Sequence, residues 1–182
     1  MSPSTRQYPI VPRLVPGLFK MAYSQLFRTP AFPTHSFAGQ TVIVTGSNVG
    51  LGGEAARHFY RLKCARLILA VRSKQKGEAA KEDIVVSVTD RKDEDTAVEV
   101  WELGMSSSAS IQRFVERAKR DLDRVDVLVL GAGVSLWKWK TAEDVDGAWE
   151  MTLQINALHT FLLALNFPEL APKAAGDEQE LQ

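Results

Sequence analysis

The chain of 182 residues has a single cysteine, Cys64. No disulfide can close within it, and a reducing compartment is the simpler setting. Histidine is nearly as scarce. His35, His58 and His159 stand far apart, with no ligand spacing around them, so no metal site is expected. Charge of one sign is also missing. The 22 Lys and Arg balance the 22 Asp and Glu, for a formal net charge of zero. That leaves no basic field to draw in nucleic acid, and none is expected as a partner. No stretch approaches the ~18 consecutive apolar residues of a spanning helix. The N-terminus lacks the basic start and unbroken apolar stretch of a secretory signal. A cytoplasmic protein is the expectation.

What is present suits a soluble globular chain: 45% hydrophobic and 24% charged residues. The length suggests one domain with a real core. Residues 1–37 read as an N-terminal extension, 38–168 as the domain and 169–182 as a flexible tail. Within the extension, residues 10–32 are apolar and aromatic (Leu14, Leu18, Phe19, Tyr23, Phe27) but punctuated by Pro12, Pro16 and Pro30. This segment reads either as an extension packed on the domain or as a peripheral membrane or partner-docking segment.

From residue 41 onward, strand and helix patterns alternate. Thr41-Val42-Ile43-Val44-Thr45 is β-branched and closed by glycine, as a buried strand is. Further strands are expected at 66–71, 97–103 and 125–130, and helices at 50–62, 74–86, 106–122 and 146–167. The third helix has Ile111, Phe114, Val115, Ala118 and Leu122 on one face, with Ser106, Ser107 or Ser108 as its cap. Residues 89–95 form a charged loop. Such alternation predicts an α/β fold with a doubly wound parallel sheet and helices on both faces. Right-handed crossovers then give four strands in the order 3-2-1-4.

The loop after the first strand reads Thr45-Gly46-Ser47-Asn48-Val49-Gly50-Leu51-Gly52. Its glycines follow a strand and open a helix, which is the setting of a Rossmann dinucleotide loop. Gly46 permits the tight turn. Gly50 lets the backbone approach a pyrophosphate. Gly52 allows close packing of helix on strand, and free N–H groups such as that of Leu51 face the phosphates. An NAD site places an acid at the end of the second strand, to hold the ribose 2′-hydroxyl. Here that position reads Val71-Arg72-Ser73. Arg72 suits a 2′-phosphate, and Lys76 one helical turn later offers a second charge. NADP(H) is therefore the expected cofactor.

These motifs resemble the short-chain dehydrogenase/reductase superfamily. Thr45 to Gly52 is similar to its TGxxxGxG loop. Leu130-Gly131-Ala132-Gly133-Val134 is similar to its NNAG segment, which adds Gly131, Ala132 and Gly133 to the cofactor-binding set. Gln154-Ile155-Asn156-Ala157 resembles the segment bearing the asparagine of its catalytic tetrad, which implies that role for Asn156. The lead-in from Ser36 is also similar to fungal members, several of which serve secondary metabolism. The resemblance implies hydride transfer between a nicotinamide and a small carbonyl or alcohol.

Several positions depart from the family pattern. Gly104 stands where an Asp usually contacts the adenine. Leu130 and Gly131 replace two asparagines. His159 replaces the glycine of NxxG. The family's proton chemistry rests on a Ser and a Tyr-x-x-x-Lys pair, because an unperturbed tyrosine titrates near ~10. Tyr8, Tyr23 and Tyr60 are each followed four residues later by Pro12, Phe27 and Cys64. The tetrad's Ser, Tyr and Lys are therefore not found, and the chain reads as C-terminally truncated. Three alternatives stay open: an NADP(H)-dependent oxidoreductase, a nucleotide- or partner-binding chain without turnover, and a non-functional remnant. In an incomplete sheet the apolar fourth strand becomes an unprotected edge. Association through that edge and the last helix is expected.

Overall fold

The computed structural model describes residues 14–29, 31–89, 96–141 and 149–167. The expected tail at 169–182, the charged loop from residue 90, the first 13 residues of the extension and positions 146–148 of the last helix lie outside them. The chain divides into two compact units, Met1–Thr34 and His35–Gln182.

In the first unit, helix α1 spans Leu14–Phe27. Pro16 falls in its first turn, where a missing N–H is tolerated. Tyr23 and Phe27, four residues apart, bring their rings to 5.2 Å. Among the described residues, no helix is long and apolar enough to cross a membrane.

The second unit holds four parallel strands: β1 (Thr41–Thr45), β2 (Arg66–Val71), β3 (Ala97–Glu102) and β4 (Val127–Val129). Their order is β3-β2-β1-β4, as the sequence predicts. β1 pairs with β2 from Thr41 opposite Arg66 and with β4 from Val42 opposite Val127. The helices between them are α2 (Gly50–Arg61), α3 (Lys74–Ser87) and α4 (Ser108–Asp121).

The two-residue period of the strands sorts the core into two layers. Val42, Val44, Leu67, Leu69, Val98 and Val100 face one side, with Ala56 of α2 and Ile84 of α3. Ile43, Ile68, Ala70 and Trp101 face the other, with Ile111, Phe114, Val115 and Ala118 of α4. Both faces of the sheet are covered, so β1 and β2 read as unbroken apolar runs. Ser73 and Ser107 cap α3 and α4, accepting from the backbone N–H groups of Lys76 and Ser110.

One polar group is built into the second layer. Glu99 accepts from Arg66 Nε at 2.7 Å and from Trp101 Nε1 at 2.9 Å. Burial pushes its carboxyl up, but these two hydrogen bonds together with the charges of Arg66 and Arg117 more than offset that and hold it below the usual carboxylate range. Arg117 of α4 stacks over the Trp101 ring at 4.0 Å.

The last helix departs from the expected 146–167. It begins as α5 (Met151–Leu153), passes through a π-helical turn at Gln154–His159, and ends as α6 (Thr160–Leu165). Glu150 sets its start: the carboxylate accepts from Leu153 N–H at 2.8 Å. The backbone N–H of Thr152 and then its hydroxyl lower the Glu150 pKa from its ordinary value. Next to the π turn, Thr160 Oγ1 donates to Ile155 O at 2.8 Å. Burial is one-sided rather than all round. Ile155, Leu163 and Phe167 are buried, whereas Leu158, Phe161 and Leu165 are exposed.

Candidate nucleotide-binding site

The site forms at the C-terminal ends of β1, β2 and β4, where a doubly wound sheet leaves its crevice. Gly46 takes φ +67°, and a Cβ there would lie 2.8 Å from Ala132 Cα. No other residue type fits that turn. A Cβ on Gly52 would lie 2.5 Å from Gly46 O, so the start of α2 sits directly on the turn. Gly50 is different. Its φ is +61°, yet nothing lies within 4 Å of where a Cβ would point. That glycine exposes bare backbone to open space. α2 starts after Val49 with no side-chain cap, which leaves its first N–H groups to a ligand.

The loop after β4 is locked to the loop after β1. Thr45 Oγ1 donates to Val129 O at 3.2 Å and accepts from Ala132 N–H at 3.1 Å. A Cβ on Gly131 would approach Thr45 O to 2.9 Å. A glycine at 131 is therefore a condition for this closure.

Of the residues singled out in the sequence, Gly46, Asn48, Leu51, Gly52, Arg72, Gly131, Ala132 and Gly133 line one cavity of about 890 Å³. Among the described residues, the charged ones that line it are Arg72 and Lys140, both cations. Ser47, Gly50 and Lys76 fall elsewhere. They line a second cavity of about 660 Å³ between α2 and α3, together with Glu54, Arg57 and Asp83. Asn48 and Val49 border both. Arg72 and Lys76 are thus not brought into one cavity. The Ser47 hydroxyl is fully buried and has no hydrogen-bond partner. Asn156 lines neither cavity, because its amide is committed to Val134 on both sides.

The short chain dehydrogenase family model matches residues 40–177. The chain belongs to the short-chain dehydrogenase family. A short chain dehydrogenase/reductase of the fungus Cryptosporiopsis is 45% identical over 84% of this chain and 45% of its own length. A short-chain dehydrogenase of Penicillium roqueforti is 42% identical over 90% of this chain and 40% of its own length. This short-chain dehydrogenase therefore spans about half the length of the curated relatives it matches. A metagenomic short-chain oxidoreductase solved in complex with NADP superposes with a TM-score of 0.58 at 27% identity, over 72% of this chain and 56% of that one. A short chain dehydrogenase of Shigella flexneri, also solved with NADP, gives 0.58 at 25% identity, over 76% and 56%.

Sequence reasoning missed part of this dehydrogenase's cavity wall. Met105, Val134, Leu136, Lys140, Met151 and Ile155 all line it. Lys140 and Met151 meet because Met151 N–H donates to Lys140 O, beside a bridge between Thr141 and Glu150. No motif marks that contact.

Proposed function

We propose that these residues form the NADP(H)-binding half of an oxidoreductase. The enzyme would pass hydride between the nicotinamide ring and a small carbonyl or secondary alcohol. One observation carries this reading: a cavity built on the glycine loop, whose charged lining among the described residues is Arg72 and Lys140. The N–H groups at the start of α2 would hold the pyrophosphate, and Arg72 the 2′-phosphate. The bound cofactor would supply or accept the hydride. The open space beside Gly50 fits a phosphate approaching bare backbone. The two neighbours solved with NADP support the choice of cofactor. The fungal relatives support a role in secondary metabolism, on the same footing. Fluorescence titration with NADPH and NADH tests the reading. NADPH should bind at least about tenfold tighter. No NADPH binding would overturn it.

A second reading concerns turnover. These 182 residues hold no tyrosine followed four positions later by lysine. Asn156 cannot move a proton in its place. Nucleotide binding is thus the role proposed for these residues, and hydride transfer the role proposed for the protein as a whole. A carbonyl-reductase assay on this chain alone separates the two. Turnover without any added partner would sink the binding-only reading.

A further inference from the structure

His159 stands where the family pattern has glycine, yet it is 6% exposed and faces inward from the π turn. Its Nδ1 lies 2.7 Å from Met105 O. A carbonyl only accepts, so Nδ1 donates. Its Nε2 lies 3.3 Å from the amide nitrogen of Gln154, which donates to it. Gln154 is 1% exposed, and its Oε1 has no partner. An orphaned buried acceptor is costly. Gln154 and Met105 together engage the imidazole by both ring nitrogens.

Met105 lies in the loop between β3 and α4, and it lines the large cavity with Leu103, Ser106 and Ser107. Gly104 contributes no side chain to this loop. Three hydrogen bonds help to place it. Leu103 N–H donates to Val71 O at 2.8 Å, and Gly104 N–H donates to Ser110 Oγ at 2.9 Å. The third is His159, reaching across 54 residues of sequence. In doubly wound folds the ribose is read at the end of the second strand. The adenosine then lies on the β2–β3 side, over this loop.

We propose that His159 is a positioning residue for the adenosine half of the nucleotide. It fixes the Met105 carbonyl, and with it the β3–α4 loop on which the adenine rests. The proposal rests on the nucleotide-binding reading given above.

The test uses the full chain and two probes. The probe 2′,5′-ADP occupies the adenosine end, whereas inorganic pyrophosphate occupies only the glycine loop. His159→Phe keeps a ring but removes both nitrogens. It should weaken 2′,5′-ADP about tenfold by calorimetry and leave pyrophosphate unchanged. Amide exchange should speed up at residues 103–107 but not at 46–52. Gln154→Met should shift 2′,5′-ADP the same way, by about threefold. Unchanged 2′,5′-ADP affinity in a folded His159→Phe, or equal loss for both probes, overturns the proposal. If His159→Phe does not fold, unchanged 2′,5′-ADP affinity in Gln154→Met overturns it. Wild-type chain that binds neither probe refutes the nucleotide reading itself. Wild-type chain that binds both, with variants that match it, refutes only the role of His159.

Discussion

Asn156 holds Val134 by both main-chain groups at once. Its Oδ1 accepts from Val134 N–H at 2.8 Å, and its Nδ2 donates to Val134 O at 2.7 Å. Only an amide side chain offers donor and acceptor side by side. Gly133 makes the approach feasible, since a Cβ there would crowd Asn156 Oδ1 at 3.3 Å. Asn156→Asp sets a second acceptor against Val134 O. It should cost about 1–2 kcal/mol and lower the thermal midpoint by about 2–4 °C per kcal/mol. A midpoint equal to wild type would show that the clamp contributes nothing.

Two glycines of one loop should respond differently to the same change. Gly46→Ala drives a methyl into the Ala132 backbone at φ +67°. Neither partner can yield, so a loss of about 2 kcal/mol or more is expected. Gly50→Ala meets open space and pays only left-handed strain, about 1–2 kcal/mol. Its methyl instead stands where a phosphate would approach. Thermal melts should rank Gly46→Ala below Gly50→Ala. NADPH titration of Gly50→Ala should show a clear loss of affinity, and wild-type binding would place the pyrophosphate elsewhere.

In the proposed reading, Arg72 is the charge on which cofactor choice would turn. It lines the large cavity, whereas Lys76 lines the other. Arg72→Ala should therefore weaken NADPH about tenfold while changing NADH little. Lys76→Ala should have a smaller effect on the same ratio. Equal losses for both dinucleotides in Arg72→Ala would defeat the 2′-phosphate assignment.

The sequence made the sheet legible because each strand was short, β-branched and followed by a helix-spaced pattern. Ile111, Phe114, Val115 and Ala118 were named as one face of α4, and all four are buried together. The glycine loop was legible for a similar reason, since the chemistry sits in adjacent residues. Contacts between distant residues were not. The bond from His159 to Met105 spans 54 residues, and the clamp from Asn156 to Val134 spans 22. No local period encodes either. The last helix was placed too early, at 146, because apolar composition was read without the Glu150 cap. Its π turn carries a contact that no local period marks, the Thr160 hydroxyl turning back on Ile155.

Glu99 gives a prediction in pH. Its carboxyl is held below the usual range in the folded chain, chiefly against burial, by Arg66 and Trp101. A depressed acid contributes stability above its unfolded pKa of about 4.3, and that contribution is lost as pH falls through the lower folded value. The pair is partly open to water, so the effect is under about 1 kcal/mol. Glu99→Gln should be less stable than wild type at pH 7, and the gap should close as pH drops below about 4. Urea midpoints at the two pH values measure it. A gap of the same size at both would mean that the ionised form has no special role.

β4 shapes the last prediction. Among the described residues it pairs with β1 alone, in the order β3-β2-β1-β4. Its three residues are only half-buried, although they are as apolar as those of β1. Leu130, just beyond it, is exposed, and Phe161 and Leu165 of α6 are exposed as well. A free apolar edge of this kind recruits another strand unless a charge blocks it. The chain should therefore associate with rising concentration in size-exclusion chromatography. Leu130→Lys places a charge at the end of that edge and should shift the chain toward monomer, with its circular dichroism unchanged. A wild-type chain that stays monomeric at high concentration, with a sharp melt, would show that β4 tolerates its free edge without a partner.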